Sequence, residues 1–266
     1  WRVARDRYAL PVAPGLALLG PLPADRDLEY PYLRWDWIPD QYTTTRNQDR
    51  IARTEDLQYG IALRALVGHA ARGLGADREA WIYSLGASWR IEVSDAQQLY
   101  FASALDGRLE HGERVDERAS AELAWYLRHS RRLTSYVRIA GESGRALDLD
   151  HYALLGGDTG LRGYPLRYQE GSGRALLRLE ERLYTDWSLW RLLDVGAAAF
   201  YDAGRTFGTS PLGTPQLGWL RDVGIGLRLG NNRSSLGEVI HVDVAHPLDG
   251  TGRRSLQFDI GTEASF

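Results

Sequence analysis

The chain has 266 residues with no cysteine and no methionine, and all 32 of its basic residues are arginine. Without cysteine there is no disulfide framework, thiol catalysis or thiolate metal site, and a net charge of -3 gives no basic face for nucleic acid. A mean hydropathy of -0.37 and the lack of any apolar run of about 18 residues exclude a transmembrane helix, but not a barrel whose strands are apolar on one face only.

The chain opens on Trp1 with no leader or apolar targeting segment, so the expectation is a mature protein or a piece of a longer one. Alternation of apolar and polar residues then recurs along its length. Segments 1–10 and 28–38 come first, followed by Leu57, Tyr59, Ile61, Leu63 and Val67, which face away from Gln58, Gly60 and Arg64. Trp81, Tyr83, Leu85, Ala87, Trp89 and Ile91 form the apolar side of the next segment. Segments 98–106, 117–128 and 132–142 follow, then Leu177, Leu179 and Leu183 opposite Arg178, Glu180 and Arg182. Segments 194–204, 223–229 and 237–246 precede a final run in which Leu256, Phe258, Ile260 and Phe266 oppose Gln257, Asp259 and Glu263. The total is about twelve strands, most near the ~9–11 residues that a tilted strand needs to cross hydrocarbon.

The polar faces carry charge in mid-strand, at Arg64, Arg90, Arg138, Arg178, Glu180, Arg182, Asp202, Arg228, Asp243 and Asp259. A soluble sandwich would turn these faces outward and bury the apolar ones. Nine tryptophans and fourteen tyrosines gathered toward strand ends fit an aromatic girdle better. The expected fold is therefore all-β, a transmembrane antiparallel β-barrel occupying 1–266 as one domain. Short connections at 92–97 and 129–131 are expected at the periplasmic mouth; longer ones at 68–80, 107–116, 143–172 and 205–218 are expected outside. The long stretch 39–56 falls on the periplasmic side against this rule, and an inward fold or a miscount of one strand would explain it. The barrel is expected to close, with the strand from Trp1 to Leu10 paired to the strand ending at Phe266, since an unpaired edge in lipid leaves backbone groups unsatisfied.

The most informative stretch runs Leu154-Leu155-Gly156-Gly157-Asp158-Thr159-Gly160-Leu161-Arg162-Gly163-Tyr164. Its glycines permit close backbone approach, and Arg162 presents a planar five-donor fork suited to carboxylates. The stretch resembles the signature of the sixth extracellular loop in the outer-membrane assembly and translocation superfamily of β-barrels. Surface-antigen, barrel-assembly and two-partner secretion transporters belong to it. The resemblance is specific over about 150–266, where Phe200-Tyr201-Asp202-Ala203-Gly204 is similar to a second motif of the family. It implies that the loop 143–172 enters the lumen, where Arg162 pairs with Glu180 and Asp202, and that terminal Phe266 is the signal for insertion. Members commonly have about sixteen strands, so the alternative is that this chain is the C-terminal part of a larger barrel.

Other chemistry finds little purchase. No Gly-x-Ser-x-Gly elbow is present, and the six histidines show no metal-ligand spacing. His241 and Asp243 share a polar face, readable as a base with its orienting carboxylate or as the lining of a wet lumen. Gly224 and Gly226 lie mid-strand, where they relieve curvature or make room for the inserted loop. No catalytic residue, metal or cofactor is expected. The expected role is in the bacterial outer membrane, assisting polypeptides or lipids to insert or cross. Its partners would be outer-membrane lipid, with polypeptide clients or periplasmic domains beside it. The alternatives are a passive anchor or pore for an upstream lipase-like domain, and an outer-membrane enzyme.

Overall fold

The structure is a computed structural model, and it describes residues 1–8, 22–231, 239–249 and 255–263. Among them the chain forms β1 (Arg2–Asp6), β2 (Arg26–Tyr30), β3 (Tyr32–Trp37), β4 (Tyr42–Arg46), β5 (Thr54–Gln58) and β6 (Gly60–Ala70). Next come β7 (Ala80–Ser94), β8 (Gln97–Glu110), β9 (Glu113–Arg128), β10 (Leu133–Arg145), β11 (Ala153–Leu155) and β12 (Gln169–Gly171). The series ends with β13 (Gly173–Leu189), β14 (Leu193–Phe207), β15 (Leu220–Asn231), β16 (Val239–Pro247) and β17 (Gln257–Glu263). Eleven of these strands make one antiparallel sheet in the order β17-β16-β15-β14-β13-β10-β9-β8-β7-β6-β3. Two short 3-10 turns are the only helical elements among the described residues.

Period-2 alternation decides which way every side chain points, because register carries the parity from strand to strand. One row runs Arg138↔Arg178↔Asp202↔Asp222 across β10, β13, β14 and β15. A second runs Arg182↔Ala198↔Gly226↔Asp243↔Asp259 through to β17. Glu180, Arg182, Asp202, Asp222, Arg228 and Asp243 are all buried on this face. The opposite face exposes Phe258 (77%), Ile260 (74%), Ile225 (68%), Leu227, Ile139, Leu85 and Ile61. Charges inside and branched apolar side chains outside invert the usual distribution of a soluble domain. Exposed tryptophans mark the ends of the outer face: Trp187 and Trp190 at the mouth with short turns, Trp81 and Trp219 at the mouth with long loops. Phe266 and the side chain of Glu263 lie outside the described residues.

Three expectations need correction. Among the described residues the first strand does not pair with the last: β1 pairs with β2 over Arg2↔Tyr30 to Asp6↔Arg26. Cross-strand charge accounts for it, with Arg5 3.2 Å from Asp27 and Arg26 3.0 Å from Asp6. The sheet is therefore unclosed among the described residues, with β3 and β17 each paired on one side. Segment 28–38 is two strands, interrupted at Pro31, which has no N–H to donate to a ladder. Finally, 107–116 is no long loop. β8 and β9 run on to a tight turn at His111 and Gly112, both with positive φ (52° and 86°), as a hairpin matched to strand twist requires.

Candidate functional site: an arginine held inside the sheet

The glycine-rich segment leaves β10, folds back over the polar face and returns into β13. Its stem is the two-stranded pair β11–β12, from Ala153↔Gly171 to Leu155↔Gln169. Leu155, Leu161 and Tyr164 bury themselves with Leu176 and Leu220 of the wall, so the segment is anchored by an apolar cluster of its own. Backbone bonds from Leu161 to Gly156 (2.9 Å) and from Tyr164 to Leu161 (3.0 Å) wind the tip tightly. Two glycines are required by space. A Cβ on Gly156 would lie 2.6 Å from the Arg167 amide nitrogen, and one on Gly163 would lie 3.0 Å from Asp222 Cγ and 3.2 Å from the Pro247 nitrogen.

Winding the tip this way points Arg162 at the wall, where it is 4% exposed. Nε donates to Asp202 Oδ2 at 2.7 Å and Nη2 to Asp202 Oδ1 at 3.0 Å, a bidentate pairing. Nη1 donates to Glu180 Oε1 at 2.7 Å and to Asp243 Oδ2 at 3.0 Å. The guanidinium lies over the Phe200 ring, 3.4 Å from its centroid. Sequence reasoning named Arg162, Glu180 and Asp202, and the structure brings all three together. It missed Asp243 as a partner, although Asp243 was legible as a polar-face residue. It also missed Phe200, which stands two residues before Asp202 on the same face.

More cations interleave with these carboxylates. Arg182 Nε donates to Glu180 Oε2 at 2.8 Å, Arg178 Nε lies 3.4 Å from Asp202, and Arg228 bonds Asp243. Both oxygens of Asp243 are thus engaged by arginines. Gly224 and Gly226 make room for neighbouring side chains of the wall rather than for the loop itself: a Cβ on Gly224 would crowd Phe200, and one on Gly226 would crowd Asp243 and Arg228.

A second network closes the long-loop mouth. Arg108 of β8 donates to Asp148 at 2.7 and 2.9 Å, and Arg26 of β2 reaches Asp148 at 2.5 Å and Asp150 at 2.6 Å. His151 Nδ1 lies 2.8 Å from Asp116 Oδ2. Burial alone would raise the Asp148 pKa, but hydrogen bonds and charge from Arg108 and Arg26 outweigh it and hold the carboxyl below its ordinary value. Asp116, Asp148 and His151 place ligand-type atoms within 4.8 Å of one another. Histidine spacing in the sequence gave no sign of this, because the three come from a strand and a loop. Two guanidiniums already neutralise Asp148, so the cluster serves as a charge clamp.

The stretch 39–56 also folds inward, from the opposite mouth. Its hairpin β4–β5 carries a tip whose Gln48 carbonyl accepts from Arg182 Nη1 and the Tyr184 hydroxyl, each at 3.0 Å. Asp49 accepts from the Tyr126 hydroxyl at 2.9 Å, and Ile51 is buried with Tyr184 and Val239. This explains why so long a connection occupies the mouth with short turns. The polar side of the sheet is therefore entered from both ends.

No family model matches the sequence, and no curated protein matches it. Among solved structures the chain is similar to BamA from Haemophilus ducreyi lacking POTRA domains 1–3, at 10% identity and a TM-score of 0.44. That overlap covers 91% of this chain and 63% of the other.

Proposed function

We propose that this chain is an outer-membrane β-barrel of the assembly and translocation type, assisting polypeptides or lipids to insert into or cross the bacterial outer membrane. The observation that carries the proposal is the pairing of Arg162, on a glycine-rich inserted loop, with Glu180 and Asp202 on the next two strands. The loop resembles that of the assembly and translocation superfamily, and this resemblance favours a barrel that handles other molecules over a simple pore. The outward apolar face and the inward charges suit a lipid-exposed wall around a polar interior. Inserts from both mouths weigh against a passive open pore.

The test is reconstitution. Vesicles of outer-membrane lipid carrying the full chain should speed the folding of a urea-denatured outer-membrane barrel relative to vesicles alone, and Arg162→Ala should lose most of that gain. Equal folding rates with and without the chain would refute the assembly role. Flotation with the inner-membrane fraction would refute the location.

A further inference from the structure

The hairpin tip at 47–52 is built as a preformed object. Glu55 accepts from the backbone amides of Gln48 (2.9 Å) and Asp49 (3.2 Å), and Asn47 Oδ1 accepts from the Ala52 amide at 2.7 Å. Asn47 and Ala52 both adopt positive φ, 60° and 56°, which closes the tip on itself. The wall receives it at a fitted place. Gly196 and Gly230 lie under Ile51, and a Cβ on them would come within 3.4 and 3.0 Å of its side chain. Tyr184 and Val239 complete this socket.

Arg182 holds the tip and is itself held by the carboxylate that Arg162 uses. Its Nη1 donates to the Gln48 carbonyl while its Nε donates to Glu180 Oε2, and Glu180 Oε1 takes Arg162. We infer that residues 46–53 are a stopper seated in a socket at one mouth, and that Glu180 and Arg182 make its seating depend on the Arg162 loop entering from the other. Withdrawing Arg162 frees Glu180 Oε1, and Arg182 and Arg228 compete for the carboxylate, drawing Arg182 away from Gln48. Linkage makes the effect reciprocal: unseating the tip must weaken Arg162 by the same factor. A segment displaced at one mouth is thereby felt at the other, whatever molecule displaces it.

Because the chain has no cysteine, single cysteines report cleanly. Ile51→Cys in the full chain in lipid vesicles reports the stopper through its rate of maleimide labelling. Ala70→Cys, fully buried in a separate cluster with Tyr30 and Ala80, reports global integrity. Arg162→Ala or Glu180→Gln should raise labelling at position 51 about tenfold more than at position 70, within the usual range of coupling between sites; the rise at 70 measures the global loss of stability. In the reverse direction, Ile51→Asp, which puts a charge into the apolar socket, should raise labelling of Leu161→Cys. No rise at 51, or an equal rise at 51 and 70, overturns the coupling. The pair Ile51→Cys and Gly230→Cys should oxidise to a disulfide, given the closeness of the two positions; failure to crosslink under oxidant overturns the seating.

Discussion

Arg162 grips Asp202 with two parallel hydrogen bonds, 2.7 Å from Nε and 3.0 Å from Nη2, although 40 residues separate them. The geometry spends the one feature that distinguishes arginine from lysine, a flat fork matching a carboxylate. Nη1 remains to join Glu180 and Asp243, so one side chain ties the loop to three strands.

Removing it should be expensive. Arg162→Ala leaves Glu180, Asp202 and Asp243 with less compensation in a buried setting, and breaking such a pair typically costs about 3–5 kcal/mol. Arg162→Lys keeps charge but loses the bidentate grip, and should fall between. Urea unfolding of the protein in detergent micelles measures both. A lysine variant as stable as the parent would show that charge alone matters and the fork does not.

Close approach makes a second prediction. Gly163→Ala must push its new methyl against Asp222 and the Pro247 backbone, an overpacking that costs about 1–3 kcal/mol. Gly73 has nothing within 4 Å of a built Cβ and no positive φ, so Gly73→Ala should be neutral or slightly stabilising. Comparing the two urea midpoints checks this. Equal losses would mean that the loop yields and Gly163 is not wedged where it lies.

What the sequence disclosed and what it withheld divide along physical lines. Glu180 and Asp202 were legible because parity is local: two residues per repeat put them on the polar side whatever the strands do next. Their union with Arg162 was legible only through the resemblance of the loop. Asp243 was visible as a polar-face residue but not as a partner, since it joins Arg162 across 81 residues through curvature that no local pattern encodes. The pairing of β1 with β2 rather than β17 was decided by complementary arginines and aspartates, which alternation of apolar groups ignores. The tight turn at His111 was hidden because β8 and β9 keep pairing, through a bulge at Asp106/Arg108, over a span too polar to read as strand.

The clamp at the long-loop mouth should depend on pH with a definite sign. Asp148 is held below its ordinary pKa, as is Asp150, so folding with the clamp intact favours their charged forms. A depressed carboxyl contributes stability that is fully present above the unfolded pKa, about 3.9, and is lost as pH falls below that through the folded value. Hydrogen exchange of the 146–151 amides should therefore be slow relative to its intrinsic rate above about pH 5 and quicken as pH drops below about 4. Asp148→Asn should flatten that profile. Protection that instead falls between pH 4 and 7 would assign the clamp to another group.

The orientation of the last strand gives the final prediction. Phe258 is 77% exposed on the apolar face, while the neighbouring Gln257 shares its face with Asp259 and, through register, with Ala245 and Asp243 of β16. If the apolar face meets lipid, Phe258→Arg places a guanidinium in hydrocarbon and should cost about 2–4 kcal/mol near the midplane. Gln257→Arg puts the same group on the polar side, beside carboxylates, and should cost little. The difference between the two variants isolates the environment, because side chain, strand and neighbours in sequence are nearly the same. Folding yield into vesicles, read by resistance to unfolding in gels without boiling, distinguishes them. In a soluble sandwich the apolar face would be packed against protein and the polar face wet, so Phe258→Arg would still be harmful. The vesicle dependence settles that case: in a lipid-facing wall the penalty at 258 must shrink when the bilayer is replaced by a polar amphipathic polymer that lets arginine reach water, whereas a packed protein core would hold it constant.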